Sequence, residues 1–389
     1  MSAAASSSRA ADGGWVPALR SGAPVLVAVG LGLLMHFAVQ PAVGAFKARV
    51  LIDIGINIIL AVSLTLVNGF TGQFSIGHAG FMALGGYAAG ALSYYGSIRL
   101  FGSAAFNGGV VSWTASQGTF GGPWVGGGDV LFVAACLTGG LVAAGAGYLV
   151  GLPSLRLRGD YLAIVTLGFG EIVRVVLQST PAQLSQAADV AAAPWPLLTL
   201  KLGGALGFIG LPFYTTLFWV YLVVGLTLAV AIRLKRSSYG RAFLAIREDE
   251  VAAEALGVHT TRYKVRAFVL AAFLAGVAGA LYAHLIGSIN AGELGFQKSF
   301  EVVIMVVLGG MGSVSGSTLA AIVLTLLPEL LRSVTGTINT HLPREYELPD
   351  LRMIIYSLAL ILMMILRPQG FCGLREIWDW RIGRRRRPT

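Results

Sequence analysis

The sequence predicts an all-α integral membrane protein with about ten transmembrane helices, and three observations predict it. The 389 residues are 56% hydrophobic and 12% charged, with a mean hydropathy of +0.75; a soluble globular chain carries about 25% charged residues. Apolar runs recur along the chain, several near the roughly 20 residues that cross a bilayer. Charge is gathered into a few short segments between those runs.

Taken in order, the runs are Val25–Val39, Leu51–Val67, Phe81–Leu92, Val130–Val150, Tyr161–Val176, Leu211–Ile232, Phe268–Ile286, Val302–Leu308, Leu319–Leu327 and Met353–Leu366. The shorter ones extend into Gly/Ser flanks. They form one membrane unit, 24–372. Residues 1–23, rich in Ala and Ser, read as a disordered cytoplasmic segment, and 373–389 as a basic cytoplasmic tail. The first run has features of a secretory leader, but its long flank carries Asp12, so a retained span fits better.

Lys and Arg in short loops set orientation. Arg156 and Arg158 mark one cytoplasmic loop, the bases between Arg233 and Arg266 a second, and Arg375, Arg381 and Arg384–Arg387 the tail. Even numbers of runs separate these marks, so all lie on one side, with Arg9 and Arg20. Lys47 and Arg49 fall on the other side. The net charge of +10 then reflects topology and attraction to anionic lipid. Nucleic-acid binding is disfavoured, because no soluble domain carries the bases.

Catalytic signatures are missing from the sequence. No Gly is followed by Lys, so there is no P-loop, and His-Glu-x-x-His does not occur. Ser313, Ser315 and His284 lack the arrangement of an intramembrane Ser/His hydrolase. Cys136 and Cys372 lie in or near apolar segments without metal-ligand spacing. The expectation is a non-enzyme that binds no cofactor and no metal of its own.

Two segments interrupt the apolar pattern, Asn68–Tyr87 and Leu308–Thr318. Irregular backbone at membrane depth is tolerated only against protein or a watery cavity. Paired interruptions in the two halves suggest an internal inverted repeat around a translocation path. Gln73, Ser75 and His78 are path candidates, with capping and packing as the bland reading. Thr166, Glu171 and Arg174 on the fifth run join them. Glu171 and Arg174, three apart on one helix, can also be a structural pair.

The segment 233–266 holds eight basic and four acidic residues and cannot enter lipid, where a central charge costs roughly 3 kcal/mol or more. Within it, one helix is expected from Arg241 and Ala242 to a stop at Gly257. Its small apolar residues beside Arg247, Glu248, Asp249, Glu250 and Glu254 suit a plug for a cleft on a soluble partner. A solvated loop that only sets topology is the alternative.

The chain resembles the LivM-type permeases of ATP-binding-cassette (ABC) importers for branched-chain amino acids, a branch that includes urea and amide permeases. The match rests on Asn68–Tyr87, Gly151–Leu177, Tyr239–Val258, Val306–Ser313 and Arg367–Gly370, nearly the whole core. The resemblance implies a type II importer permease fold in the bacterial inner membrane. It implies a permease dimer, with a homologous second permease or with itself. Further partners implied are two cytoplasmic ATPase subunits that hold the ATP–Mg, and a periplasmic or lipid-tethered substrate-binding protein. Ala242–Gly257 is then similar to a coupling helix seated in the ATPase, with Arg241, Ala245, Arg247, Glu248, Asp249, Glu254, Ala255, Leu256 and Gly257 as its site residues; Arg247 and Glu248 would contact the groove rim. One departure is the external segment Gln178–Pro196, which lacks the family's Thr-Gly-Gly turn; the glycine-rich stretch 101–128 is also an external connector. Urea or short amides are the alternative substrates. An ion-coupled carrier is the alternative class, with Asp53, Glu171 and Glu301 as its only mid-span acids.

Overall fold

The computed structural model describes residues 15–112, 123–154 and 160–341, with short pieces at 357–358, 361–362, 365–366, 370–373 and 376. Arg156 and Arg158, most of the Met353–Leu366 run and of Arg367–Gly370, part of the glycine-rich connector and the basic residues of the tail lie outside them.

Helices account for nearly all of the fold. In chain order they are α1 (Trp15–Leu34), α2 (Gln40–Leu64), α3 (His78–Phe101), α4 (Gly127–Ser154), α5 (Asp160–Gln178), α6 (Ala187–Ala192) and α7 (Trp195–Leu198). There follow α8 (Leu217–Arg236), α9 (Ser238–Glu248), α10 (Glu250–Ala255), α11 (Thr260–Ile286), α12 (Phe296–Gly309) and α13 (Val314–His341). One departure from an all-α fold is a two-residue antiparallel ribbon, β1 (Phe208–Ile209) on β2 (Ser288–Ile289), which ties the α5–α8 connection to the end of α11.

Six helices among the described residues are long and apolar enough to cross a membrane: Gly22–Phe70, Gly127–Ser154, Tyr161–Gln178, Leu217–Arg236, Thr260–Ile286 and Val314–Val334. The first covers 49 residues. At about 1.5 Å per residue it would be far longer than a bilayer is thick. It is broken at Gly44, whose φ of 77° and ψ of 164° are non-helical, so the two expected runs survive as two rods. α3 is 24 residues long but lowers its hydropathy with Gly, Ser and Tyr, and α12 has 14 residues. α1 begins at Trp15, and Pro17 sits in its first turn, where a missing N–H breaks no helical hydrogen bond.

The core is built on close helix approach. α3, α4 and α11 meet backbone to backbone: Gly85 lies against Gly276, and Gly279 against the Met82 carbonyl. No side chain could stand between them, which is how small residues let membrane helices pack. A second polar stitch joins α2, α12 and α13. Asn57 Nδ2 donates to Thr325 Oγ1 (2.9 Å), Lys298 Nζ to Asn57 Oδ1 (3.2 Å), and Lys298 pairs with Glu301 (2.9 Å).

Candidate functional site

The charged block folds where α8 ends and α11 begins. Ser237 caps α9, its hydroxyl accepting from Gly240 N at 3.2 Å. α9 buries Gly240, Phe243 and Ile246. Phe243 packs edge-on against Tyr263 of α11, with ring centroids 6.1 Å apart. A side chain at Gly240 would strike the Leu234 carbonyl, so only glycine permits this tight entry from α8.

The single helix expected from Ala242 to Gly257 is two helices. The chain breaks at Asp249, which is extended (φ −157°, ψ 113°) and caps α10 by accepting from Val251 N (2.9 Å) and Ala252 N (3.0 Å). Such a cap contributes about 1 kcal/mol, and its negative charge suits a helix N-terminus. α10 is strapped to α11 by Lys264 on Glu250 and by Thr260 Oγ1 on Glu254 Oε1, both at 2.6 Å. Gly257 then turns the chain with φ 85°, while Val258 N donates to Ala253 O (3.0 Å), the usual glycine closure of a helix end. A concavity of about 370 Å³ lies alongside, lined by Glu254 and the turn from Gly257 to Arg262.

Outward from the membrane helices point Arg241, Glu248, Asp249, Glu254, Ala255, Leu256 and Gly257, all exposed, with Ala245 half-buried. Two apolar side chains stand among them, Val251 at 64% and Leu256 at 84% exposure. In this chain Arg247 turns inward: its Nη1 donates to the Gly69 carbonyl at 2.9 Å, while Glu248 stays 75% exposed. The reason is register, since Arg247 follows the buried Ile246 and reaches over Gly72.

Gly69 belongs to the first interruption, and it rests on the second. A Cβ on Gly69 would lie 2.5 Å from Gly312 N, and Thr65 Oγ1 and Ser317 Oγ share a hydrogen bond of 2.7 Å. The two glycine-rich segments therefore meet directly beneath α9.

Of the path candidates, Gln73, Ser75, His78 and Thr166 are packed inside this chain. Asn68 clasps Ser75 through its backbone (Ser75 N to Asn68 Oδ1, 3.1 Å), His78 Nε2 meets Ser63 Oγ at 2.7 Å, and Ile76 N donates to Thr166 Oγ1 at 3.1 Å. Glu171 and Arg174 do pair, at 2.7 Å, and stay 37% and 32% exposed. Among the described residues no three His, Cys, Asp or Glu side chains gather as a metal ion would require.

Sequence reasoning missed Glu376. Its buried carboxylate accepts from Val314 N (3.1 Å), Ser315 N (3.0 Å) and Ser313 Oγ (3.1 Å), and it pairs with Lys235 Nζ at 2.5 Å. Burial pushes its pKa up, but the hydrogen bonds from Lys235 and Ser315 and the Lys235 charge outweigh this and hold it below the ordinary value. The only signal in the sequence was an acid in a tail dominated by arginine.

Over residues 47–365 the chain matches the family described as branched-chain amino acid transport system / permease component. The chain belongs to this permease family. It is 37% identical over 332 residues to the high-affinity branched-chain amino acid transport system permease protein LivM of Escherichia coli, covering 81% of this chain and 67% of that one. It is 31% identical over 150 residues to LivH of the same organism (39% and 44% of the two chains). To the probable branched-chain amino acid transport permease protein LivM of Methanocaldococcus jannaschii it is 22% identical over 244 residues (61% and 68%). No solved structure matches it significantly. This permease is a multi-pass membrane protein, and the relatives are permease proteins of branched-chain amino acid transport systems.

Proposed function

We propose that this chain is the membrane permease subunit of an ATP-driven importer in a bacterial cytoplasmic membrane, moving branched-chain or related small amino acids. The observation that carries the reading is the α9–α10 unit: an exposed two-helix element, presenting Val251 and Leu256 outward and joined inward by Arg247 to the junction of Gly69 and Gly312. Such a unit suits a soluble motor that grips one side and moves the other. The motor is a pair of cytoplasmic ATPase subunits, which bind the ATP–Mg. A homologous second permease or a second copy completes the membrane channel, and a periplasmic or lipid-tethered binding protein delivers substrate. The fold proposed is the type II importer fold with about ten spans in two inverted halves.

The test is uptake of labelled leucine in cells with and without this gene, competed by excess isoleucine, urea and glutamine. Loss of leucine uptake on deletion, blocked in the parent by isoleucine, supports the reading. Intact leucine uptake with lost urea or amide uptake keeps the importer and replaces its substrate.

A further inference from the structure

α5 is an apolar helix with an unusual edge. Glu171, Arg174 and Gln178 follow one another at spacings of three and four, which stacks them on one face. Glu171 Oε2 accepts from Arg174 Nε (2.7 Å), and Arg174 Nη1 donates to Gln178 Oε1 (3.1 Å). The pair is about a third exposed on each side chain. In a membrane span, a charged pair in that position faces protein or a water-filled cavity, because lipid cannot solvate it.

The placement of this stripe is informative. Thr166, earlier on α5, bonds Ile76 N and lies against Gly77 of the first interruption. From there Glu171, Arg174 and Gln178 follow along α5 away from that contact toward the connection that carries Gly204, which packs on Thr180. The facing loop is held back: a Cβ on Gly295 would lie 3.3 Å from Arg174 Cδ and 3.6 Å from Glu171 Oε1. One residue later α12 begins with Phe296, which packs against Phe300 at 5.6 Å between ring centroids; the two rings are 46% and 47% exposed. The ion pair thus lies against Gly295, and the exposed phenyl rings begin with the next residue of the chain.

We infer that Glu171, Arg174 and Gln178, with Phe296 and Phe300, form a relay station for a zwitterionic α-amino acid with an apolar side chain. Arg174 receives the α-carboxylate, whose planar geometry its guanidinium matches. Glu171 receives the α-ammonium. The side chain of the substrate lies on the phenyl rings, and the existing ion pair is what the substrate temporarily replaces. The pair keeps its charges satisfied when the station is empty, and exchange for a second pair keeps binding weak enough for release. This deepens the importer reading and rests on it; urea, which carries no charge, would gain little here.

The experiment uses the whole importer, with its ATPase, second permease and binding protein, in a host lacking its own leucine uptake. Initial rates are measured for the parent, Glu171→Gln, Arg174→Gln, the exchanged pair Glu171→Arg/Arg174→Glu, and Phe296→Ala/Phe300→Ala. Co-purification of the ATPase subunits reports assembly. The expected result is a fall of at least tenfold in leucine uptake for each single charge variant and for the exchanged pair, with the ATPase retained. Full uptake by the exchanged pair overturns the inference, since a purely structural ion pair survives exchange. If the charge variants do not assemble, the phenyl variant decides: a raised KM for leucine with alanine uptake kept supports the station, and an unchanged leucine KM overturns it. No amino-acid uptake by the parent importer would instead refute the proposed function itself.

Discussion

Arg247 Nη1 donates to the Gly69 carbonyl at 2.9 Å, so the charged surface unit is bonded to the backbone of the membrane domain where its two interruptions touch. A hydrogen bond from a charged donor contributes about 1.5–3 kcal/mol. We expect Arg247→Ala to leave the subunits assembled while ATP hydrolysis continues with little uptake. Arg247→Lys should restore only part of the transport, because an ammonium cannot reproduce the reach and planarity of guanidinium. The ratio of substrate transported to ATP hydrolysed, in reconstituted vesicles, checks this.

Glu254→Arg should abolish uptake while the membrane domain stays folded. The change removes the 2.6 Å bond from Thr260 and reverses a charge on the outward face. A charged contact broken on one side of an interface costs about 2–5 kcal/mol of association. Retention of the ATPase during purification is the readout, and wild-type retention with normal uptake would refute the docking role.

At Gly257 the constraint is conformational, since a Cβ there would meet nothing within 4 Å and φ is +85°. A left-handed conformation costs an ordinary L-residue roughly 1–2 kcal/mol. Gly257→Asn should therefore transport nearly as the parent, and Gly257→Val should lose most transport. Uptake rates of the two variants at equal membrane levels separate strain from simple lack of space.

Glu376 predicts a pH dependence. Its pKa is held below the ordinary value of 4.5, so its carboxylate stabilises the fold at neutral pH. That contribution is lost as pH falls through the depressed folded-state pKa, because the unfolded chain takes up the proton first. Thermal unfolding of the purified subunit and of Glu376→Gln should differ at pH 7 and converge in acid. A difference that stays constant with pH would show that the carboxylate's charge is not what holds the site.

The class, the polar block and the interrupted segments were legible because lipid tolerates few charged or polar groups, so the charges of 233–266 and the Gly, Thr, Gln, Ser and His of 68–87 stand out against the apolar runs. The break at Asp249 was legible in principle: Asp before Glu-Val-Ala is an N-cap signal, masked by the strong helical composition on both sides. The inward turn of Arg247 was not, because it depends on which side of α9 meets the membrane helices. For Gln73, Ser75 and His78 the sequence left path lining and packing both open, because polar residues in an interrupted helix bind water or bind one another; in this chain they meet Thr71, Asn68 and Ser63. Glu376 could not be found, since its partners lie 62 and 141 residues away.

That last separation also orders the making of the protein. Lys235 and the first turn of α13 leave the ribosome well before the carboxylate that satisfies them, 141 and 62 residues ahead of it. During synthesis the seam between the end of α8 and the first turn of α13 therefore lacks this carboxylate until residue 376 emerges, and Lys235 has the Gly312 carbonyl to bond to in the meantime. It closes only after every described helix has been made, so the junction of α8 with α13 is finished last, after the bonds that anchor the surface unit itself have become possible.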